Sequence, residues 1–156
     1  MNPSITIARF LYDEPYVLHF GIEASNGRFV GYLEFFAHAE LLIEFADILE
    51  VFPRHSRDAH LWELGSERSE DKYAYFLRLR LFTTDSAGHS TIQIRFNNNR
   101  DLPDRELSEF CIPVEPAALK RLGRLLREFA KLENEVLFWD LAEGRLFKTQ
   151  AEFDTR

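Results

Sequence analysis

The chain has few of the residues and motifs from which an activity can be read. Cys111 is its only cysteine, which excludes an intramolecular disulfide and a metal site built from several cysteines. The sequence contains no G-x-S-x-G, G-x-x-x-x-G-K-S/T or G-x-G-x-x-G, so the common signatures of a serine nucleophile and a phosphate-cradling loop are missing. No apolar stretch approaches the ~20 residues that span a bilayer. We therefore expect a protein that is not an enzyme and has no cofactor and no membrane partner.

The cysteine content and the amino terminus indicate a compartment. A chain of 156 residues without a disulfide fits a reducing cytosol. Its first residues have no basic segment followed by an apolar run, so no signal peptide is expected. The sequence therefore predicts a cytoplasmic protein.

Acidic side chains are in excess, and they are unevenly distributed. The net charge is −7, and residues 1–53 hold 2 basic and 8 acidic side chains. An acidic protein repels the phosphates of nucleic acid at long range. A basic protein is therefore the expected partner and nucleic acid is not, although acidity that only favours solubility is the alternative.

Alternating polar and apolar residues predict several strands. In 73–83 and 90–97 successive side chains alternate in character, which is typical of a sheet with one buried and one wetter face. Asn26-Gly27 predicts a type I′ turn between two earlier strands, because both residues tolerate positive φ. The other predicted strands are 4–11, 16–24, 29–36, 60–64 and 109–114, and 136–139 is expected either to add a strand or to dock on the core.

Two segments have helical spacing instead. Apolar residues recur every three or four positions between Leu41 and Phe52, and Pro53 ends that helix. The second helix begins at Pro116, because proline is accommodated in a first helical turn. Gly123 lies inside it at a cost of about 1 kcal/mol relative to alanine, which hints at a close contact.

The order of elements predicts the fold class. Runs of strands with few helices indicate an antiparallel α+β arrangement. We expect a curved antiparallel sheet of about six to eight strands with two helices packed on one face. The other face stays open and carries Arg78, Arg80, Gln93 and Arg95. Residues 1–140 are expected to form a single domain, and 141–156 a C-terminal tail that is either a short helix or disordered.

The candidate partner-binding residues lie on the polar side of the first helix. Glu40, Glu44 and Asp47 follow helical spacing there and could dock a basic protein, with Asp13 and Glu14 outside the stripe. A solvated helix face is one alternative. The other is that the stripe faces the basic residues of the second helix, which are Lys120, Arg121, Arg124, Arg127 and Lys131.

Other chemistry-bearing residues have simpler interpretations. His55, Asp58 and His60 lie close together, but no third ligand follows at a diagnostic spacing, so no metal site is expected. The carboxylate pairs lie in turn-like segments, where such residues aid solubility, and no catalytic role is expected for them. They are Asp13-Glu14, Glu70-Asp71 and Asp101/Asp104. Cys111 is expected to be buried as a small apolar residue between Phe110 and Ile112.

Several local motifs carry a resemblance to a known group. They are Gly31 to Phe36 at the end of a hairpin, Phe52-Pro53 closing a helix, Gly88-His89 before a strand, and Val114-Glu115-Pro116. In these motifs residues 16–132 resemble small bacterial proteins of unknown function related to immunity proteins of polymorphic toxin systems, including the WapI-type group. The resemblance implies a cytoplasmic antitoxin-like protein that binds and blocks a toxin domain. It implies no catalytic residue, and the chain departs from the pattern after Trp139.

Three classes of function follow. The first is a non-enzymatic protein-binding domain that acts as an immunity protein. The alternative is a self-associating structural or accessory domain, such as a homodimer formed through the open sheet face. The third is an enzyme or small-ligand carrier with a pocket in the aromatic-rich sheet.

Overall fold

The structure, a computed structural model, describes residues 2–11 and 17–156. In this part of the chain it contains nine strands and three α-helices. The strands are β1 (Ser4–Phe10), β2 (Leu18–Ser25), β3 (Val30–Ala37), β4 (Ala59–Gly65), β5 (Phe76–Thr83), β6 (Ser90–Asn97), β7 (Leu107–Val114), β8 (Val136–Asp140) and β9 (Gly144–Phe147). The helices are α1 (Ala39–Val51), α2 (Pro116–Phe129) and α3 (Gln150–Asp154).

The strands form two antiparallel sheets rather than one. The first sheet has the order β3-β2-β1-β8-β9, and the second has the order β4-β5-β6-β7. The predicted antiparallel α+β class is confirmed, whereas the predicted single sheet of six to eight strands divides in two. The reason is that β1 pairs with β8 from the far end of the chain, with Ile7 opposite Leu137. Alternation reports which side of a strand is buried and does not specify its neighbour.

Both sheets and the two long helices contribute to one hydrophobic core. On the first sheet, the buried Trp139 donates a hydrogen bond from Nε1 to the carbonyl oxygen of Ala118 in α2, at 2.9 Å. On the second sheet, Trp62 of β4 stacks on Phe45 of α1 with ring centroids 4.6 Å apart. Each sheet therefore presents its apolar side to a helix.

Gly123 lies where α2 packs against α1. A Cβ added there would be 2.8 Å from Cγ of Glu50, 3.0 Å from the carbonyl oxygen of Ala46 and 3.1 Å from Cβ of Leu49. Real Cβ atoms avoid such distances, so glycine is what allows the two helix backbones to approach. The close contact expected from the sequence is present.

The β2–β3 turn differs from the expected type. Gly27 has a φ of 91°, whereas Asn26 is not among the residues with positive φ. The backbone N–H of Asn26 donates to the carbonyl oxygen of Phe29 at 3.2 Å, so the central residues of the turn are Gly27 and Arg28. Only the first of them has positive φ, which is the pattern of type II′, so the type I′ prediction is wrong. The Asn26 side chain explains the difference, because its Oδ1 accepts hydrogen bonds from the backbone N–H groups of Arg28 and Phe29, each at 2.9 Å.

The segment 141–156 contains β9 and α3. β9 adds a fifth strand to the first sheet by pairing with β8. Thr149 caps α3 by accepting a hydrogen bond from the backbone N–H of Glu152 at 3.1 Å. Phe153 of α3 packs against Phe138 and Phe147, with ring centroids 6.4 and 5.3 Å away.

We expect Gly123→Val to lower the free energy of unfolding by about 1–3 kcal/mol, because the added carbons press on the α1 backbone. Ala117→Val is the matched control, since Ala117 is exposed on the same helix; it should cost no more than about 0.6 kcal/mol in helix propensity. Urea denaturation of both variants measures the difference. Equal, small losses in the two variants would contradict the close contact.

Candidate partner-binding surface

The acidic residues singled out in the sequence lie on the exposed side of α1. Leu42, Phe45 and Leu49 are buried in the core. At 100° per residue, Glu40, Glu44 and Asp47 fall on the other side of the helix, and all three are exposed. The structure therefore brings the three predicted residues together on one accessible face.

Apolar side chains share that face. Val51 is 57% exposed and Ile43 is 36% exposed. Around the helix axis Val51 lies about 20° from Glu40, and Ile43 about 60° from it. We refer to Glu40, Ile43, Glu44, Asp47 and Val51 as the α1 surface. It combines negative charge with exposed apolar area, which the sequence alone did not indicate.

One member of the surface already has a cationic partner. Arg127 of α2 forms ion pairs with Asp47 and with Glu50, the latter at 3.1 Å between Nε and Oε1. The hydrogen bonds that Arg127 donates to Glu50 and Asp47 raise the pKa of Arg127. The sequence alternative in which the acidic stripe faces the second helix is thus realised at Asp47. Glu40 and Glu44 have no ion pair with any residue the structure describes.

The basic residues of α2 do not form one free surface. Arg127 is occupied as described, and Arg121 donates a hydrogen bond from Nη2 to the carbonyl oxygen of Asp140 at 2.8 Å. Lys131 pairs with Glu128 at 3.0 Å. Exposed Lys120 and Arg124 are left, which is a weak electrostatic footprint for nucleic acid.

The outer face of the second sheet carries the expected arginines. The charges of Arg78 and Arg95 are matched there, whereas Arg80 donates a hydrogen bond to the neutral Gln93 at 3.3 Å and lies over the ring of Phe82. Arg78 pairs with Glu63 at 3.0 Å. Arg95 contacts both Glu67 and Glu109 at 2.9 Å, and its hydrogen bond lowers the pKa of Glu67. This face is therefore a network of cross-strand pairs.

Cys111 lies on the same outer face and is exposed, so the prediction that it is buried was wrong. β7 directs Phe110 and Ile112 into the core. Because successive strand residues point to opposite faces, Cys111 between them must point outward.

In the segment that contains His55, Asp58 and His60, the Asp58 carboxylate stabilises the loop before β4. Asp58 is 3% exposed, and its carboxylate accepts hydrogen bonds from the Arg54 backbone N–H at 2.8 Å and from the Arg54 guanidinium at 3.1 Å. These bonds lower the pKa of Asp58. Among residues 2–11 and 17–156, no three His, Cys, Asp or Glu side chains are grouped so as to hold a metal ion.

The carboxylate pairs are held locally or exposed. Glu70 pairs with Arg68 at 2.7 Å, and Asp71 accepts a hydrogen bond from the Ser66 hydroxyl at 2.6 Å. Asp101 and Asp104 are exposed in the loop before β7. Asp13 and Glu14 lie outside the described residues.

Sequence reasoning missed a groove of about 630 Å³ between β3 and the loop 98–106. In its wall Nε2 of His19 lies 2.8 Å from Oε1 of Glu34, and the His19 ring stacks on Phe36 with centroids 4.6 Å apart. Tyr75 also lines it and donates its hydroxyl to the carbonyl oxygen of Phe36 at 2.9 Å. The register of β2 and β3 places His19 and Glu34 near each other, but two residues 15 apart in sequence give no recognisable motif.

His89 connects the β5–β6 turn to the start of α2. Its Nδ1 is 2.5 Å from Oδ2 of Asp85, and its Nε2 is 3.6 Å from Oε1 of Glu115. The hydrogen bond to Asp85 and the nearby negative charges raise the pKa of His89. The same hydrogen bond lowers the pKa of Asp85.

We expect Asp85→Asn to return the pKa of His89 towards its ordinary value of about 6.5, as measured by NMR titration of the ring protons. Because the folded pKa of His89 is raised, its contribution to stability is complete below about pH 6.5 and is lost as the pH rises through the folded value. The variant should therefore lose more stability relative to the parent at pH 5.5 than at pH 8.5. Glu23→Gln is the control and should leave His89 unchanged; an unaltered His89 titration in Asp85→Asn would contradict the pairing.

None of the helices in the described part of the chain is both long and apolar enough to cross a membrane. No family model, no curated protein and no solved structure matches the chain.

Proposed function

We propose that the chain is a non-enzymatic, cytoplasmic protein-binding domain, and that it acts as an immunity protein by binding a basic toxin domain and blocking it. The observation that carries the proposal is the composition of the α1 surface. The carboxylates of Glu40 and Glu44, which have no ion pair among the described residues, share one exposed side of α1 with the apolar Ile43 and, about two to three turns further along, with Val51. The resemblance of several sequence motifs to immunity proteins is a second support.

The two components of this surface have different roles in binding. Negative charge on an accessible helix accelerates encounter with a basic partner and depends on ionic strength. Exposed apolar area adds affinity when it leaves water. Glu40 and Glu44 can pair with a partner without breaking an intramolecular ion pair, whereas Asp47 would have to share Arg127.

The α1 surface alone is too small for a stable complex. A helix of 13 residues is about 20 Å long at 1.5 Å per residue. A typical stable interface buries about 800 Å² on each partner. A partner centred on α1 therefore also contacts the segments that flank it.

Self-association through the outer face of the second sheet is the weaker alternative. A dimer formed there would remove the Arg78–Glu63 and Arg95–Glu67 pairs from water. Desolvating ion pairs costs free energy that their attraction does not always offset. No observation on that face favours a second copy over solvent.

We expect Glu40→Lys/Glu44→Lys to reduce the association rate with the basic partner at least ~10-fold at low salt, and the difference to shrink at high salt. The partner is the basic protein that co-purifies in stoichiometric amount with the tagged chain. Association and dissociation are measured by biolayer interferometry at two salt concentrations. Val51→Ala should mainly accelerate dissociation, because it removes apolar contact area and no charge.

The matched control is Glu23→Lys/Glu143→Lys, which makes the same change of charge at exposed positions outside α1. It should retain most of the association rate. Equal losses in both double variants would show that net charge alone attracts the partner. Unchanged binding by Glu40→Lys/Glu44→Lys would exclude the α1 surface.

A further inference from the structure

Two loops meet at one end of the second sheet. Residues 66–75 precede β5, and residues 98–106 connect β6 to β7. Phe76 at the start of β5 pairs with Asn97 at the end of β6, so the two loops emerge side by side. Residues that are about 30 positions apart in sequence are therefore neighbours here.

Three consecutive asparagines fix the two loops. Asn97 donates a hydrogen bond from Nδ2 to Oε2 of Glu67 at 2.6 Å. Asn99 donates from Nδ2 to the carbonyl oxygens of Ser66 and Tyr73, at 2.7 and 3.1 Å. These bonds join one loop to the other and leave a defined space between them.

Asn98 holds the longer loop closed on itself. Its Oδ1 accepts hydrogen bonds from the backbone N–H groups of Arg100 and Glu106, at 3.2 and 3.0 Å. Its Nδ2 donates to the carbonyl oxygen of Asp104 at 3.0 Å. Side chains on this loop are consequently presented from an ordered backbone.

The space between the loops is a cavity of about 400 Å³ with a basic lining, and we call it the loop cavity. Arg68, one of its basic residues, pairs with Glu70, and the acidic Glu67 pairs with Arg95. The other charged residues of the lining are Lys72, Arg100, Asp101 and Arg105. The cations among them are Lys72, Arg100 and Arg105, and they have no carboxylate partner within ion-pair distance among the residues the structure describes. They concentrate positive charge in a protein whose net charge is −7.

Lys72 ends the 3₁₀ turn Ser69–Asp71. Lys72 has φ 55° and ψ 34°, a left-handed conformation that costs a non-glycine residue about 1–2 kcal/mol. Asn99 has a similar φ of 54°, but its amide fixes the loops and asparagine tolerates this conformation. Lys72 has no side-chain hydrogen bond in the described structure, so a long cation occupies a position where the backbone favours glycine.

Tyr73 supplies an aromatic wall. It lines the loop cavity, is 53% exposed, and contacts Tyr75 edge to face with ring centroids 6.3 Å apart. An exposed aromatic ring beside several cations is the arrangement on which a planar ring can stack while a phosphate binds nearby.

We propose that the loop cavity binds a small phosphorylated ligand with an aromatic ring, of the nucleoside phosphate class. Lys72, Arg100 and Arg105 bind the phosphate groups, and Tyr73 contacts the ring. A cavity of about 400 Å³ lies within the usual range for small-molecule sites. The acidic surface of the rest of the chain repels long polyanions, which favours a compact ligand over an extended nucleic acid. No residue of the α1 surface lines this cavity, so the proposal stands apart from partner binding.

The test is isothermal titration calorimetry with pyrophosphate and with ADP at constant ionic strength. We expect both to bind with one site, and ADP to bind more tightly because of its ring. Arg100→Gln/Arg105→Gln should weaken both at least ~10-fold. Lys120→Gln/Arg124→Gln removes the same charge from exposed positions of α2 and should leave both unchanged. Tyr73→Ala should weaken ADP binding to about the affinity for pyrophosphate and should leave the affinity for pyrophosphate unchanged.

Lys72→Gly separates loss of binding from loss of folding. It removes a cation and relieves the left-handed strain, so we expect a higher melting temperature together with weaker pyrophosphate binding. The proposal is overturned if neither ligand binds the parent protein at millimolar concentration, or if the α2 control loses as much affinity as Arg100→Gln/Arg105→Gln. If a single-stranded oligonucleotide bound more tightly than ADP, the proposal of a small ligand would be wrong and nucleic acid would be the ligand of the loop cavity.

Discussion

The close packing of α1 against α2 at Gly123 is the contact on which the rest of the structure depends. α1 leads from β3 of the first sheet to β4 of the second, and α2 leads back from β7 to β8. Because both crossings meet at Gly123, where a Cβ would lie 3.0 Å from the Ala46 carbonyl oxygen, one contact positions both sheets. It also places Arg127 beside Asp47 and Glu50, and so determines which side of α1 faces solvent.

Local elements could be predicted from the sequence because each has its own period. Alternation identified the strands and the outward side of Arg78 and Arg95, and helical spacing identified α1 and α2. Strand pairing could not be predicted in this way, since any apolar edge satisfies the same alternation. The pairing of β1 with β8 instead of a neighbour in sequence is what produces two sheets. The strand β9 was not predicted, because its four residues are too few to show an alternating pattern.

In the candidate surfaces, too, the features that depend on one element could be predicted and those that depend on tertiary contacts could not. The shared face of Glu40, Glu44 and Asp47 follows from spacing on one helix, whereas the pairing of Asp47 with Arg127 requires the helix crossing. The loop cavity was not predictable from the sequence. Lys72 lies near Arg100 and Arg105 only because asparagine side chains hold the two loops together. In the sequence these asparagines appear only as a polar run. The exposure of Cys111 could have been predicted, because in an alternating strand its side chain points away from the face that holds the apolar Phe110 and Ile112.

Both sheets and the two long helices share one core around the helix contact. Trp62 lies in the second sheet and Trp139 in the first, so each reports on its own sheet in the single-tryptophan variants Trp139→Phe and Trp62→Phe. The most direct test follows urea unfolding of each variant by tryptophan fluorescence and by far-ultraviolet circular dichroism. A shared core predicts that the two signals change at the same urea concentration in each variant. Fluorescence of either tryptophan changing well before the dichroism would show that the sheets unfold separately and would contradict the claim.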